Sequence, residues 1–255
     1  MTAIRYELAR LRTVRATWGA AFGVLVVGGA ATWVEARDLG EVPVQAGDAA
    51  QVLTAGAAGP ATPLAALVVL FAAVLSCARE QRPTALPTLL LTLPRRSRAL
   101  AAKVTVSAIL GAVVAVLGLA VNGVVAASVF GPEFRALVWD QAPAPRVLLG
   151  YVVYLALAAA LGVAVGVLAR GAAIAAGLLA AVPLVIEPMI GRAVGLALPE
   201  RFQDWVEYLP FNAANRMLST GGTGLAAREG ALVFGGWAAG ALLFAAIVFA
   251  RRDAR

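Results

Sequence analysis

Histidine is absent from all 255 residues. Without it there is no H-E-x-x-H zinc helix, no Ser–His dyad and no His-dependent intramembrane protease. Lysine occurs once, at Lys103. It follows Arg98-Ala99-Leu100-Ala101-Ala102 rather than a glycine-rich loop, so the chain has no Walker A motif. Nucleotide hydrolysis, where it is used, belongs to another chain. Cysteine also occurs once, at Cys77, which excludes an intrachain disulfide. It reads as a small apolar helix residue. Charged residues are scarce at 14%, against about 25% in ordinary soluble domains. Hydrophobic residues make up 61%, more than a soluble core uses and suited to a lipid-facing bundle.

Six apolar stretches predict crossings of a hydrocarbon core about 30 Å thick: residues 17–34, 61–78, 104–129, 147–169, 172–190 and 231–250. Trp18 and Trp33 bracket the first as interfacial anchors. The fourth and fifth are parted only by Arg170-Gly171. As one helix they would run far beyond a bilayer, so a tight hairpin is expected there, with glycine permitting the turn and arginine resisting burial. Both termini are placed in the cytosol. The cytosolic segments then hold 14 basic and 3 acidic residues, and the outer segments hold 7 and 11. That bias has the sign the positive-inside rule requires. Five crossings would carry Arg251, Arg252 and Arg255 outside. The start is not expected to be a cleaved signal, because a charged helix precedes a long apolar run.

Three segments outside the spans carry functional candidates. From Thr2 to Arg15, Ile4, Leu8, Leu11 and Trp18 fall on one helical face, with Arg5 and Arg12 to one side and Arg10 to the other. A basic amphipathic helix on the cytosolic membrane surface follows. The loop 79–103 is basic and contains an apolar core, Leu89, Leu90, Leu91 and Leu93, between Pro87 and Pro94. That core is too short to cross lipid and has no use in a purely solvated loop. It predicts an element pressed against a partner or the bilayer. The outer segment 191–230 carries Trp205, Tyr208, Pro210, Phe211 and Asn212, which suggest short interfacial helices. Glu187 is placed near the outer interface, where hydration makes Glu187→Gln expected to leave transport largely intact. Gly162-x-x-x-Gly166 and Gly236-x-x-x-Gly240 are weak close-packing motifs in so glycine-rich a chain.

These motifs, in this order, resemble the membrane permeases of the type-two ABC exporters. Glu7-Leu8-Ala9-Arg10-Leu11-Arg12-Thr13-Val14-Arg15-Ala16-Thr17-Trp18 is similar to that family's entry into its first span. Glu80, then Pro94-Arg95-Arg96, then Lys103 opening the third span resembles its loop signature. Thr84-Ala85 stand where the family often has Gly-Thr, and Pro87 is unusual there. Tyr208-Leu209-Pro210-Phe211-Asn212-Ala213 and Arg251-Arg252-Asp253-Ala254 resemble two further family motifs.

The resemblance implies an all-α polytopic membrane protein of six transmembrane helices. Residues 1–16 would form an amphipathic connecting helix, 17–250 the transmembrane domain and 79–103 a cytosolic coupling loop. Residues 191–230 would form an outer re-entrant region and 251–255 a cytosolic tail. The interface with a separate ATP-binding subunit would comprise Glu7, Arg10, Arg12, Glu80, Leu89, Leu90, Leu93, Pro94, Arg95, Arg96, Arg98 and Lys103. ATP and Mg would sit on that subunit, with no cofactor, metal or catalytic residue on this chain. A second permease copy or paralogue and the lipid bilayer would complete the partners, with no nucleic acid. The excess of arginine over lysine points to a GC-rich bacterium and its plasma membrane. The cargo is expected to be amphipathic or hydrophobic: a drug, lipid or peptide. The rivals are an ion-coupled secondary carrier, which lacks mid-bilayer ionisable groups beyond Glu187 and Arg170, an integral membrane enzyme and a non-transporting scaffold.

Overall fold

The computed structural model describes residues 3–13, 15–39, 45–55, 62–80, 96–131, 134, 138–139, 143–169, 172–221 and 224–251. Among these residues there is no strand. The helices are α1 (Ala3–Thr13), α2 (Arg15–Leu39), α3 (Ala46–Leu53), α4 (Leu64–Glu80), α5 (Arg96–Phe130), α6 (Ala144–Leu168), α7 (Ala172–Ala181), α8 (Glu187–Ala197), α9 (Pro210–Arg216) and α10 (Ala227–Arg251). A π-helical turn, Val182–Ile186, joins α7 to α8, and a 3-10 helix, Glu200–Tyr208, precedes α9.

Five helices are long and apolar enough to cross a membrane: Trp18–Leu39, Arg98–Phe130, Ala144–Leu168, Ala173–Ala197 and Ala227–Phe249. The second expected crossing is shorter. Helix α4 has 17 residues, about 25 Å at 1.5 Å per residue. Its neighbours are longer than hydropathy suggested. Helix α5 reaches back to Arg96, so Arg98 and Lys103 lie on a helix rather than in a loop. The fifth stretch runs on to Ala197 through the π turn. The chain breaks between α6 and α7, where Ala169 is extended, and α7 folds back against α4 and α6.

Helix α6 is the centre. Within the protein 67% of it is buried, against 17–28% of the other four long helices. Helices α4, α5 and α10 pack around it, and α2 rests on α5 and α4. Sequence explains the position: Ala158, Ala159, Ala160, Gly162, Ala164 and Gly166 leave α6 thin enough to be approached on several sides. A Cβ on Gly162 would lie 2.7 Å from Leu70 O, and one on Gly166 2.8 Å from Cys77 Cβ. The lone cysteine is therefore part of the α4–α6 seam. By contrast, a Cβ on Gly236 or Gly240 would meet nothing within 4 Å.

The two glycine pairs thus have opposite expected behaviour. Gly162→Ala overpacks the α4–α6 seam and is expected to cost about 1–3 kcal/mol in detergent unfolding. Gly236→Ala only removes backbone freedom from an open helix face and is expected to be neutral or stabilising by up to about 1 kcal/mol. Equal effects would show that the seam is not this close.

Helix α3 had no counterpart in the hydropathy pattern. Gln45 N–H is received by Asp48 Oδ2 at 3.0 Å, which starts the helix. Its apolar face, Ala49, Ala50, Val52 and Leu53, is buried between α2, α5 and α6. Thr32 Oγ1 donates to Val52 O at 2.9 Å and Asn122 Nδ2 to Leu53 O at 2.8 Å. Two span side chains thereby satisfy carbonyls at the end of a short helix, which that helix cannot satisfy itself.

Candidate functional site

The segments singled out by sequence lie at opposite ends of the bundle. At one end, α1 packs against the start of α5. Lys103 Nζ stands 3.3 Å from Glu7 Oε1 and 3.4 Å from Oε2. Both side chains are buried, 7% and 5% exposed. Sequence grouped them as two contacts with a partner protein, whereas here their charges turn to each other inside the chain. The pairing was hidden because 96 positions separate them. One signal was available: Glu7 is the one acid among residues 1–16, and Lys103 the one lysine, at the start of an apolar helix.

The same pair orients α1. Glu7 faces inward at 3% exposure, while Ile4 and Leu8 are nearly half exposed. Arg98 is exposed on the first turns of α5. Glu80 closes α4, Arg96 opens α5, and Arg10 and Arg12 belong to α1. Leu89, Leu90, Leu93, Pro94 and Arg95 lie outside the described residues, as does the turn at Arg170-Gly171.

At the other end, short helices fill part of the 191–230 segment. Helix α9 begins with a capping deficit. Leu209 at its N-cap has no side-chain acceptor, and Pro210 opens the first turn without an N–H. The next two amides are received by one side chain from a distant helix. Phe211 N–H donates to Glu187 Oε1 at 2.9 Å, and Asn212 N–H to Glu187 Oε2 at 2.8 Å. This corrects the expectation of a hydrated Glu187, because the residue is 2% exposed. Between Leu184 and Ile190 it alone turns inward, with Leu184, Val185, Ile186, Pro188, Met189 and Ile190 all exposed. The π turn immediately before it, with Pro183 inside, adds the residue that rotates this one side chain to the protein.

The clasp is packed as well as bonded. Phe211 is buried beside Phe234 of α10, ring centroids 5.9 Å apart, and Tyr154 of α6 meets Phe234 edge-on at 5.5 Å. Tyr154 Oη donates to Asn215 Oδ1 at 3.3 Å. Asn212 Nδ2 donates to Val206 O at 3.1 Å, tying α9 to the 3-10 helix. Glu207 receives Arg216 and, at 2.6 Å, Leu225 N–H. Gly224, at φ +112°, sits where a Cβ would collide with that carboxylate. Trp205 and Tyr208 point outward, 69% and 52% exposed. Of the aromatic residues expected at an interface, Phe211 is the one turned into the core. Sequence missed Glu187, Tyr154 and Phe234 as its partners, since nothing in the local pattern links them to residues 211–215.

Chemically, this end is a mechanical joint. Both oxygens of Glu187 are engaged by backbone donors. Among the described residues no group of three or more Cys, Asp or Glu side chains is placed to hold a metal ion. No protein-family model matches the chain, and no curated protein matches it.

Proposed function

We propose that this chain is the transmembrane permease subunit of an ATP-driven exporter of the type-two ABC family. In this reading it crosses a bacterial plasma membrane six times with both termini in the cytosol. The carrying observation is the meeting of α1 with the start of α5 through Glu7 and Lys103. Two segments far apart in sequence, both matching motor-facing family motifs, stand side by side at one end of the bundle. A motor subunit needs such a composite surface to press on, and the buried pair makes α1 and α5 move together.

Other features agree with this reading. Helix α4 runs between the same two ends as the long helices, since Leu70 meets Gly162 and Cys77 meets Gly166. A thinned bilayer accommodates its 17 residues as the sixth crossing. The exposed Ile4 and Leu8 suit a helix lying on the membrane surface. An apolar element at Leu89 to Leu93 with Arg95, Arg96 and Arg98 at its rim suits a groove on an ATPase. ATP and Mg bind that subunit, and its closure moves the 81–95 loop, α5 and the bundle. A second copy or a paralogue completes the complex, and the cargo is amphipathic or hydrophobic.

Co-purification tests this. A tagged chain is expected to bring down a separate ATP-binding subunit. Reversing charge at Arg95 and Arg96 is expected to leave insertion intact and lower transport and ATPase recovery by roughly tenfold or more. Unchanged transport and recovery would remove that loop from the mechanism. Solute movement by the isolated chain without ATP would favour the ion-coupled carrier.

A further inference from the structure

Helix α2 roofs a gap between α4 and α5, and α6 closes it from below. The gap is a cavity of about 320 Å³. Gly23 and Gly118 line it, and a Cβ on either would meet no atom within 4 Å. Val27 and Leu64 stand at its edge, 53% and 65% exposed. The cavity therefore opens sideways onto the apolar surface of the bundle rather than along its axis.

Its walls are apolar apart from a few groups, of which Asn122 is the decisive one. Asn122 is 2% exposed. Its Nδ2 donates to Leu53 O at 2.8 Å. A carbonyl accepts only from the NH2 side, so this bond fixes which way the amide points. Asn122 Oδ1 is then left buried with no donor. An acceptor in that state is costly and calls for a partner. Gly28 also lines the cavity, and the place where its side chain would begin is empty and 3.4 Å from Oδ1. A donor seated there needs only a small shift to reach hydrogen-bond distance.

We infer that this cavity binds a membrane-dissolved molecule with a short apolar body and one hydrogen-bond donor, a hydroxyl or an amine. The body fills the space beside Gly23 and Gly118. The donor rests against Gly28 and is received by Asn122 Oδ1. The site lies within a single chain and is independent of the exporter reading, since a carrier or a scaffold would bind at it equally.

The test is photolabelling of the purified full chain in detergent with a diazirine-bearing octanol. Label is expected on peptides containing residues 20–31 and 118–122. Octan-1-ol is expected to compete roughly tenfold better than heptyl methyl ether, which has the same length and no donor. Gly118→Leu fills the cavity and is expected to abolish the label; Gly23→Val serves if that variant does not fold. Gly28→Ala fits without a clash and occupies the donor's seat, so label is expected to persist while the preference for the alcohol disappears. Label spread over the lipid-facing surface and indifferent to Gly118→Leu would overturn the site. Equal competition by alcohol and ether would overturn the role of Asn122, as would a Gly28→Ala protein that keeps the preference. No label in the cavity peptides would mean that water alone fills the space, which also overturns the proposal.

Discussion

Replacing Lys103 with Met is expected to destabilise the protein by about 3 kcal/mol or more, because it strands the Glu7 carboxylate in a buried site. Glu7→Gln is expected to do the same to the ammonium of Lys103. The two side chains are 7% and 5% exposed and 3.3 Å apart, so water cannot replace the lost partner. Removing both charges together, Glu7→Gln with Lys103→Met, is expected to cost less than either change alone, since no uncompensated charge remains. Exchanging the residues, Glu7→Lys with Lys103→Glu, is expected to recover part of the stability. Unfolding in mixed micelles, followed by circular dichroism, reads all four variants. Additive losses in the double variant would show that the pair does not act as a pair. If it does, α1 cannot move without α5, and the single variants should also loosen α1 to proteolysis.

Glu187→Gln is the second large effect expected. The glutamine keeps one acceptor and presents an NH2 group to a second backbone donor, so Phe211 or Asn212 loses its partner. A buried amide left in that state costs about 1–3 kcal/mol. Amide exchange at Phe211 and Asn212 is expected to quicken well before global unfolding, because α9 has no other N-terminal cap. Glu187→Asp is expected to fail similarly, being one methylene too short to span both amides. Unaltered exchange in both variants would remove Glu187 from its capping role. Transport measured alongside separates two causes. A structural clasp predicts that activity falls in step with stability, whereas a proton-coupling acid predicts loss of activity with the fold intact.

The same residue shows where sequence reasoning stopped. An acid in an apolar helix announced itself, but hydropathy could not tell a hydrated interface from a buried cap. That distinction rests on the extra residue of the π turn at Val182–Ile186, which rotates Glu187 against its neighbours. It rests equally on a helix 24 positions later that lacks a cap of its own. Helix α3 was missed for a related reason. Eight residues with four buried apolar positions are too short for a hydropathy signal, and its stability comes from Thr32 and Asn122 on other helices. The glycine motifs were ambiguous in sequence because a glycine records only that a side chain is missing. Whether another helix occupies the space, as at Gly162, or nothing does, as at Gly236, depends on the packing.

The amino-acid sequence by itself determined the helical, apolar character of the chain and the rough positions of its long helices. It also excluded histidine-dependent and Walker-type chemistry. Those properties are sums over neighbouring residues or plain absences, so they need no knowledge of what lies across the bundle. The tertiary structure decided the rest: that α6 is central, that five helices exceed the length of a crossing while α4 falls short, and that Glu7 meets Lys103 and Glu187 caps α9. Each of these is a contact between segments that the local pattern cannot connect. In a chain this apolar, burial carries little information about partners, and a few polar contacts fix the register.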